Sequence, residues 1–321
     1  LKARTEALAL VNAVGNLPYT MPGPGRVDAF MTALNLLNPN AKLEMDSPVA
    51  FPQLWGVARL KWRHWDNNTT AVLQRNMGQA IGVGALAPEA RDQHIIATSL
   101  DVQALTTLEG LIQEIQPPRW PFAPPDSHAI AAGKEIYAAQ CARCHEPLPD
   151  GSMREPSNDP ADDPKTDAQR LLNFQQTDPV ISRRWPDKSL IQVLALQLAS
   201  VEKASKVPLE LADKDPLWEA RGKYGARTLQ GVWATAPYLH NNSVLTLADL
   251  LKPAATRPKQ FVVDYMRYDV NDVGFKDAKS SNIESERFDT AKSGNSNAGH
   301  EFGAALSDSD KTNLLAYLKQ L

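Results

Sequence analysis

The chain has 321 residues, with 34 Lys and Arg against 37 Asp and Glu, a net charge of −3. That near-balance argues against nucleic acid or an anionic membrane as the main partner. Apolar residues, at 43%, suffice for ordinary cores; no run reaches the length of a membrane span, and the length predicts two structural units. The two cysteines lie three residues apart, which excludes a disulfide scaffold and a Cys₄ or Cys₃His zinc site within one chain.

The predicted elements begin with a helix over residues 1–14, where Leu8, Val11 and Val14 recur at helical spacing. The start, Leu1-Lys2-Ala3-Arg4, shows no leader pattern, which fits either a processed secreted product or a fragment. Helical patterns follow near residues 27–37 and 100–115, around a Trp-rich middle with Trp55, Trp62, His64 and Trp65. Those tryptophans read either as core or as the lining of a cofactor pocket, with His64 half-exposed in the first case. Residues 117–125 hold five prolines, cannot continue a helix and form a stiff connector. The expected division is residues 1–117, a linker over 118–125, and residues 126–321.

Asp126 or Ser127 then caps a helix with Ile130, Gly133, Ile136 and Tyr137 on its apolar positions. It runs into Cys141-Ala142-Arg143-Cys144-His145, a C-x-x-C-H haem-attachment pattern. Two thiols at this spacing project from one side of a helical turn and can add across the two vinyl groups of a haem. The adjacent His145 then faces the iron, with its other ring nitrogen expected on a backbone carbonyl. A thioredoxin-like pair would need a βαβ context, and here a helix precedes the first cysteine. Covalent attachment requires free thiols and an exported maturation system, so a periplasmic or secreted location is expected. A short helix is expected over residues 247–251. At the end, Ser307-Asp308-Ser309-Asp310 resembles a capping box and opens a helix with Leu314, Tyr317, Leu318 and Leu321.

A helix ending in the haem motif, with an amphipathic helix at the C-terminus, resembles the class I cytochrome c fold. The resemblance implies a mainly α chain: a cytochrome c-like domain with long loop insertions, plus an N-terminal helical domain. It also implies a close crossing of the two helices, for which Gly133 and Tyr317 are the matching residues. In that family the sixth iron ligand comes from the loop before the last helix. Here that loop, residues 292–303, has no methionine but carries His300 among glycines. His300 is therefore the first candidate, His240 the second, and a methionine such as Met153 or Met266 the third. A haem propionate is the other use for His240, while His128 and His94 read as structural. Two imidazoles would close both axial positions, leaving a haem that relays electrons.

The segment from Arg227 through Gly231, Trp233, Pro237 and Tyr238 to His240 is similar to bacterial di-haem cytochromes of the peroxidase and rubber oxygenase type, and more so to the latter. The similarity continues at residues 294–301 and upstream at residues 25–30 and 46–55, so it covers most of the chain. It implies an electron-relay haem c held by Cys141, Cys144, His145 and His300, with Arg227, Tyr238 and His240 supporting propionates or an inter-domain contact. Such families have glycine where this chain has Asn242, a residue that tolerates left-handed backbone. They also carry two haem motifs. A second haem would then lie on a segment before Leu1, with residues 1–117 as the remainder of its domain. The expected partner is that N-terminal haem domain or an electron-transfer protein. Peroxide, polyisoprene and a redox protein are all compatible substrates. A single-haem carrier without chemistry of its own is the alternative. The Asp-rich residues 158–164 read as a cation loop or, more ordinarily, a solvated one.

Overall fold

The fold is taken from a computed structural model that describes residues 20–87, 98–281 and 287–321. The helix expected over residues 1–14, and His94, lie outside the described residues. A two-stranded ribbon of β1 (Arg26–Val27) and β2 (Val49–Ala50) precedes and follows α1 (Ala29–Leu37). The helix starts later than residue 27 because Asp28 is its cap. The Asp28 carboxylate accepts from Met31 N at 3.4 Å and from Ser47 N and Oγ at 3.0 and 2.9 Å. Then come α2 (Leu73–Gly82) and α3 (Val102–Ile112), the latter capped by Asp101, which accepts from Ala104 N.

The proline-rich segment is neither helix nor strand, as expected. It lies on the second half of the molecule: Trp233 Nε1 donates to Pro118 O, and Trp120 meets the Trp233 ring edge-on. Four helices follow it: α4 (Ser127–Gln140), α5 (Ala142–His145), α6 (Gln169–Gln175) and α7 (Leu190–Ala204). After α8 (Leu247–Leu250) the chain forms an antiparallel sheet in the order β4-β3-β5 (Gly274–Asp277, Gln260–Asp269, Arg287–Asp289) and ends in α9 (Asp308–Leu318). Of the described residues 35% are helical and 10% are strand, a mixed fold, which corrects the mainly α expectation. The cause is the long insertion before the last helix, which closes on itself as a bulged hairpin. No helix among the described residues is long and apolar enough to cross a membrane.

Among the described residues two large buried cores result, with two smaller clusters beside them. The first packs Phe30 and Leu34 of α1 against Met77 and Ile81 of α2 and against Leu190, Leu194 and Leu198 of α7. It thus draws on both sides of the proline-rich segment. The second gathers Tyr137, Val232, Tyr238, Leu247, Leu251, Leu314 and Leu318. Its frame is the crossing of α4 and α9. A Cβ on Gly133 would lie 2.0 Å from Asn313 O and 2.9 Å from Tyr317 Cβ, so only glycine permits this approach. The Tyr317 ring packs on Tyr137, their centres 5.2 Å apart. Both helices are capped as the sequence predicts. Asp126 accepts from Ala129 N, and Ser307 accepts from Asp310 N while its hydroxyl donates to the Asp310 carboxylate.

Candidate haem site

α4 ends at Cys141, whose carbonyl accepts from both Cys144 N and His145 N at 3.1 and 3.0 Å. This single tight turn sets both cysteines and His145 on the wall of a cavity of about 940 Å³. Both thiols are free and partly accessible. Burial pushes the Cys141 thiol up to about 11 and raises that of Cys144. His145 Nδ1 lies 2.6 Å from Arg227 O. A carbonyl can only accept, so Nδ1 carries the proton, and the lone pair of a neutral ring is on Nε2. Burial holds the ring in that neutral form.

The same cavity is lined by His300. Gly299 precedes it with φ 74, and a Cβ there would lie 2.3 Å from the carbonyl oxygens of Pro164 and Lys165. His300 itself takes φ 48, and its N–H donates to Pro164 O. The loop is fastened by Asn241 Nδ2, which donates to Gly294 O and Ser296 O, and by Asp167, which accepts from Ser296 N. The rings of His145 and His300 have centres 6.2 Å apart. Two imidazoles on opposite faces of one iron, each with a metal–nitrogen bond of about 2 Å, have ring centres roughly 6 Å apart. His300 Nδ1 is buried without a hydrogen-bond partner. Burial first, then the neighbouring His145, lowers the His300 pKa to about 4, so it too is a neutral donor.

The other candidates divide clearly. His240 lines the cavity, but its ring stacks on Tyr224, centres 4.0 Å apart, and burial lowers its pKa to about 3. Asn242, just beyond, takes the left-handed φ of 57. Arg227 lines the cavity with its Nε buried and unpartnered and its guanidinium 4.6 Å from the Trp65 ring centre. Tyr238 also lines it, but its hydroxyl is committed to Val273 O at 3.0 Å. Met153 is buried beside Val57 and Leu60, and Met266 is 92% exposed; neither borders the cavity. His128 is exposed on the first turn of α4. Trp55 and Trp65 line the cavity, whereas Trp62 is core. His64 does not line it: Nδ1 lies 2.7 Å from Asn68 Oδ1 and Nε2 is buried without a partner, so the ring is less exposed than expected. Among the described residues no cluster of three or more acidic, His or Cys groups could hold a metal ion, the Asp-rich loop included.

The residues present fit a haem c: two thiols and two imidazoles on one cavity, walls of Leu250, Leu251, Leu314 and Leu318, and an Arg227 Nε buried without a partner. They are the parts that a c-type haem-binding domain requires. Comparison with known proteins agrees. Residues 128–194 match the family model "Cytochrome C oxidase, cbb3-type, subunit III", and residues 222–262 match "RoxA-like, cytochrome c-like". The first contains the C-x-x-C-H motif and the second Arg227, Tyr238 and His240. These matches support a cytochrome c family, with a covalently bound haem c and electron transfer as its chemistry. Two proteins of Sinorhizobium fredii are similar over much of the chain. The uncharacterized protein y4iJ is 29% identical over 93% of this chain and 60% of its own length. The uncharacterized protein y4iM is 26% identical over 78% of this chain and 56% of its own length. The chain therefore spans about 60% or less of the curated relatives it matches.

Proposed function

We propose that this chain is the electron-relay portion of a periplasmic or secreted di-haem oxidoreductase resembling rubber oxygenase and cytochrome c peroxidase. The observation that carries this reading is the 6.2 Å separation of the His145 and His300 rings across the cavity. Cys141 and Cys144 would tether a haem, and His145 and His300 would hold its iron. A haem held this way supplies a one-electron couple at iron. The chain's own residues orient and enclose it. Arg227 O fixes the His145 tautomer, the Leu walls would exclude water, and Arg227 and His240, both on the cavity wall, would hold the propionate groups. Tyr238 supports that edge through its main chain and ring, since its hydroxyl is taken by Val273 O.

The RoxA-like match and the greater length of the relatives support a larger enzyme. In it residues 126–321 carry the haem-attachment and ligand residues, and residues 1–117, which share a core with α7 and lend Trp55 and Trp65 to the cavity, border the unit that holds the reactive haem. The partner is that unit or a separate redox protein. A single-haem carrier is the second reading, favoured by the one C-x-x-C-H motif in these 321 residues. Intact mass and a reduced pyridine haemochrome spectrum of the natural product decide between them; two haems are expected, and one haem on the full-length product refutes the enzyme. For the ligands, ferric His300→Ala is expected to turn high-spin. A spectrum that stays low-spin sinks the His145–His300 pair, and His240→Ala is the matched control.

A further inference from the structure

Arg257 is only 2% exposed, and its side chain faces no substrate-sized opening. Among the described residues it has no ion-pair partner within 4.0 Å. Instead, every N–H of its guanidinium has a main-chain carbonyl. Nε donates to Lys252 O at 3.2 Å. Nη1 donates to Asn297 O and Gly299 O, both at 2.7 Å. Nη2 donates to Leu250 O at 3.0 Å and His300 O at 3.1 Å. An arginine has five such donors in a fixed planar fork, so the fit is complete.

The grouping of those carbonyls is informative. Two belong to the end of α8, where Leu250 and Leu251 form part of the cavity wall. A cation there also answers the partial negative charge of a helix C-terminus. Three belong to residues 297–300, the strand of loop that delivers His300. Arg257 thus joins the cavity wall to the backbone of His300 through one rigid group. The loop needs such a tie, because it holds His300 at φ 48 and passes through a glycine pressed against the carbonyls of Pro164 and Lys165. Left-handed backbone at a non-glycine residue persists only where its surroundings over-determine it.

We propose that Arg257 is the positioning residue for the sixth-ligand loop, holding His300 at the iron distance from His145. The inference rests on the bis-histidine reading above. Lysine cannot replace it: an ammonium has three donors and no fork, so at most part of the carbonyl set is satisfied. A merely structural arginine would affect stability and leave the coordination alone.

The test uses ferric holoprotein and reads coordination, not turnover. Arg257→Ala, Arg257→Lys and His300→Ala are compared with wild type by absorption and electron paramagnetic resonance, with covalent haem counted by pyridine haemochrome. His300→Ala is expected to be high-spin and to return to low-spin with added imidazole. Arg257→Ala, with its haem still attached, is expected to show a high-spin fraction and to bind imidazole at least tenfold more tightly than wild type. Arg257→Lys is expected to fall between. The proposal is overturned if the Arg257 variants keep the wild-type spin state and imidazole affinity while His300→Ala changes. It is also overturned if both lose covalent haem while His300→Ala keeps it, since Arg257 would then serve the fold alone. Should Arg257→Ala alone fail to mature, Arg257→Lys decides by the same criteria. A low-spin His300→Ala is a different failure, that of the ligand pair itself.

Discussion

Replacing Gly133 by alanine tests whether the α4–α9 crossing frames the haem site. The added Cβ meets Asn313 O at 2.0 Å and Tyr317 Cβ at 2.9 Å, where ordinary contact begins at 3.4 Å. The first obstacle is main chain, so no rotamer change relieves it and the helices must part. Overpacking of this kind costs about 1–3 kcal/mol, and an immovable carbonyl puts it at the upper end. Alanine recovers about 1 kcal/mol of helix propensity over glycine. The expected net is a loss of about 2 kcal/mol. Gly110 in α3 is the internal control, because nothing lies within 4 Å of its Cβ position. There the same substitution is expected to stabilise by about 0.5–1 kcal/mol. Urea unfolding followed by far-UV circular dichroism measures both, with the haem absorption reporting on Leu314 and Leu318 as the wall moves. Shifts of the same sign in the two variants, or an unchanged midpoint for Gly133→Ala, refute the reasoning.

Three further outcomes are expected. Glu109→Ala leaves Arg75, its 2.8 Å partner, buried without a counter-charge, both side chains being about a tenth exposed. The loss is about 3 kcal/mol, the lower end for a broken buried pair because Asn76 Oδ1 still accepts from Arg75; chemical denaturation reads it, and a loss under about 1 kcal/mol would contradict the pairing. His64 is held well below the usual histidine pKa of 6.5, by burial first and then by Arg170. The unfolded chain therefore takes up a proton that the folded chain refuses as pH falls below about 6.5, and stability drops by up to about 1.4 kcal/mol per pH unit. His64→Asn, which suits the φ of 64, removes that slope; equal losses between pH ~7.5 and ~5 in variant and wild type would count against it. Asp126→Ala deletes the cap that accepts from Ala129 N at 3.0 Å and is expected to cost about 1 kcal/mol in a thermal melt, while an unshifted melt shows the cap to be idle.

What the sequence disclosed was whatever acts locally. α1, α4 and α9 announce themselves by apolar period, α4 and α9 also by their Asp and Ser caps, and the haem motif is a five-residue pattern whose chemistry is self-contained. The His300 loop came into view through the resemblance to class I cytochromes, which puts a ligand before the last helix, and through the glycines that flank its histidine. The hairpin was not. In β3 the apolar residues Phe261, Val262 and Val263 run together, and a register shift between Asp264 and Tyr268 breaks the two-residue alternation that marks a strand. α7 has a helical stripe in Leu190, Leu194 and Leu198, but no local pattern says that it crosses to pack on α1 and α2. Arg257 lay furthest from view. It works through main-chain carbonyls drawn from two stretches, residues 250–252 and 297–300, that lie far apart in the chain, and carbonyls are the same at every position.

The crossing of α7 also orders events in time. The first core cannot close until residue 204 has been synthesised, and by then Cys141 to His145 have long emerged. His300 and α9 come about a hundred residues later. The thiols and the first imidazole are thus presented before the far wall of their own pocket exists. A chain that emerges from its N-terminus passes through a stage in which the attachment site is open on the side that His300, Leu314 and Leu318 later line.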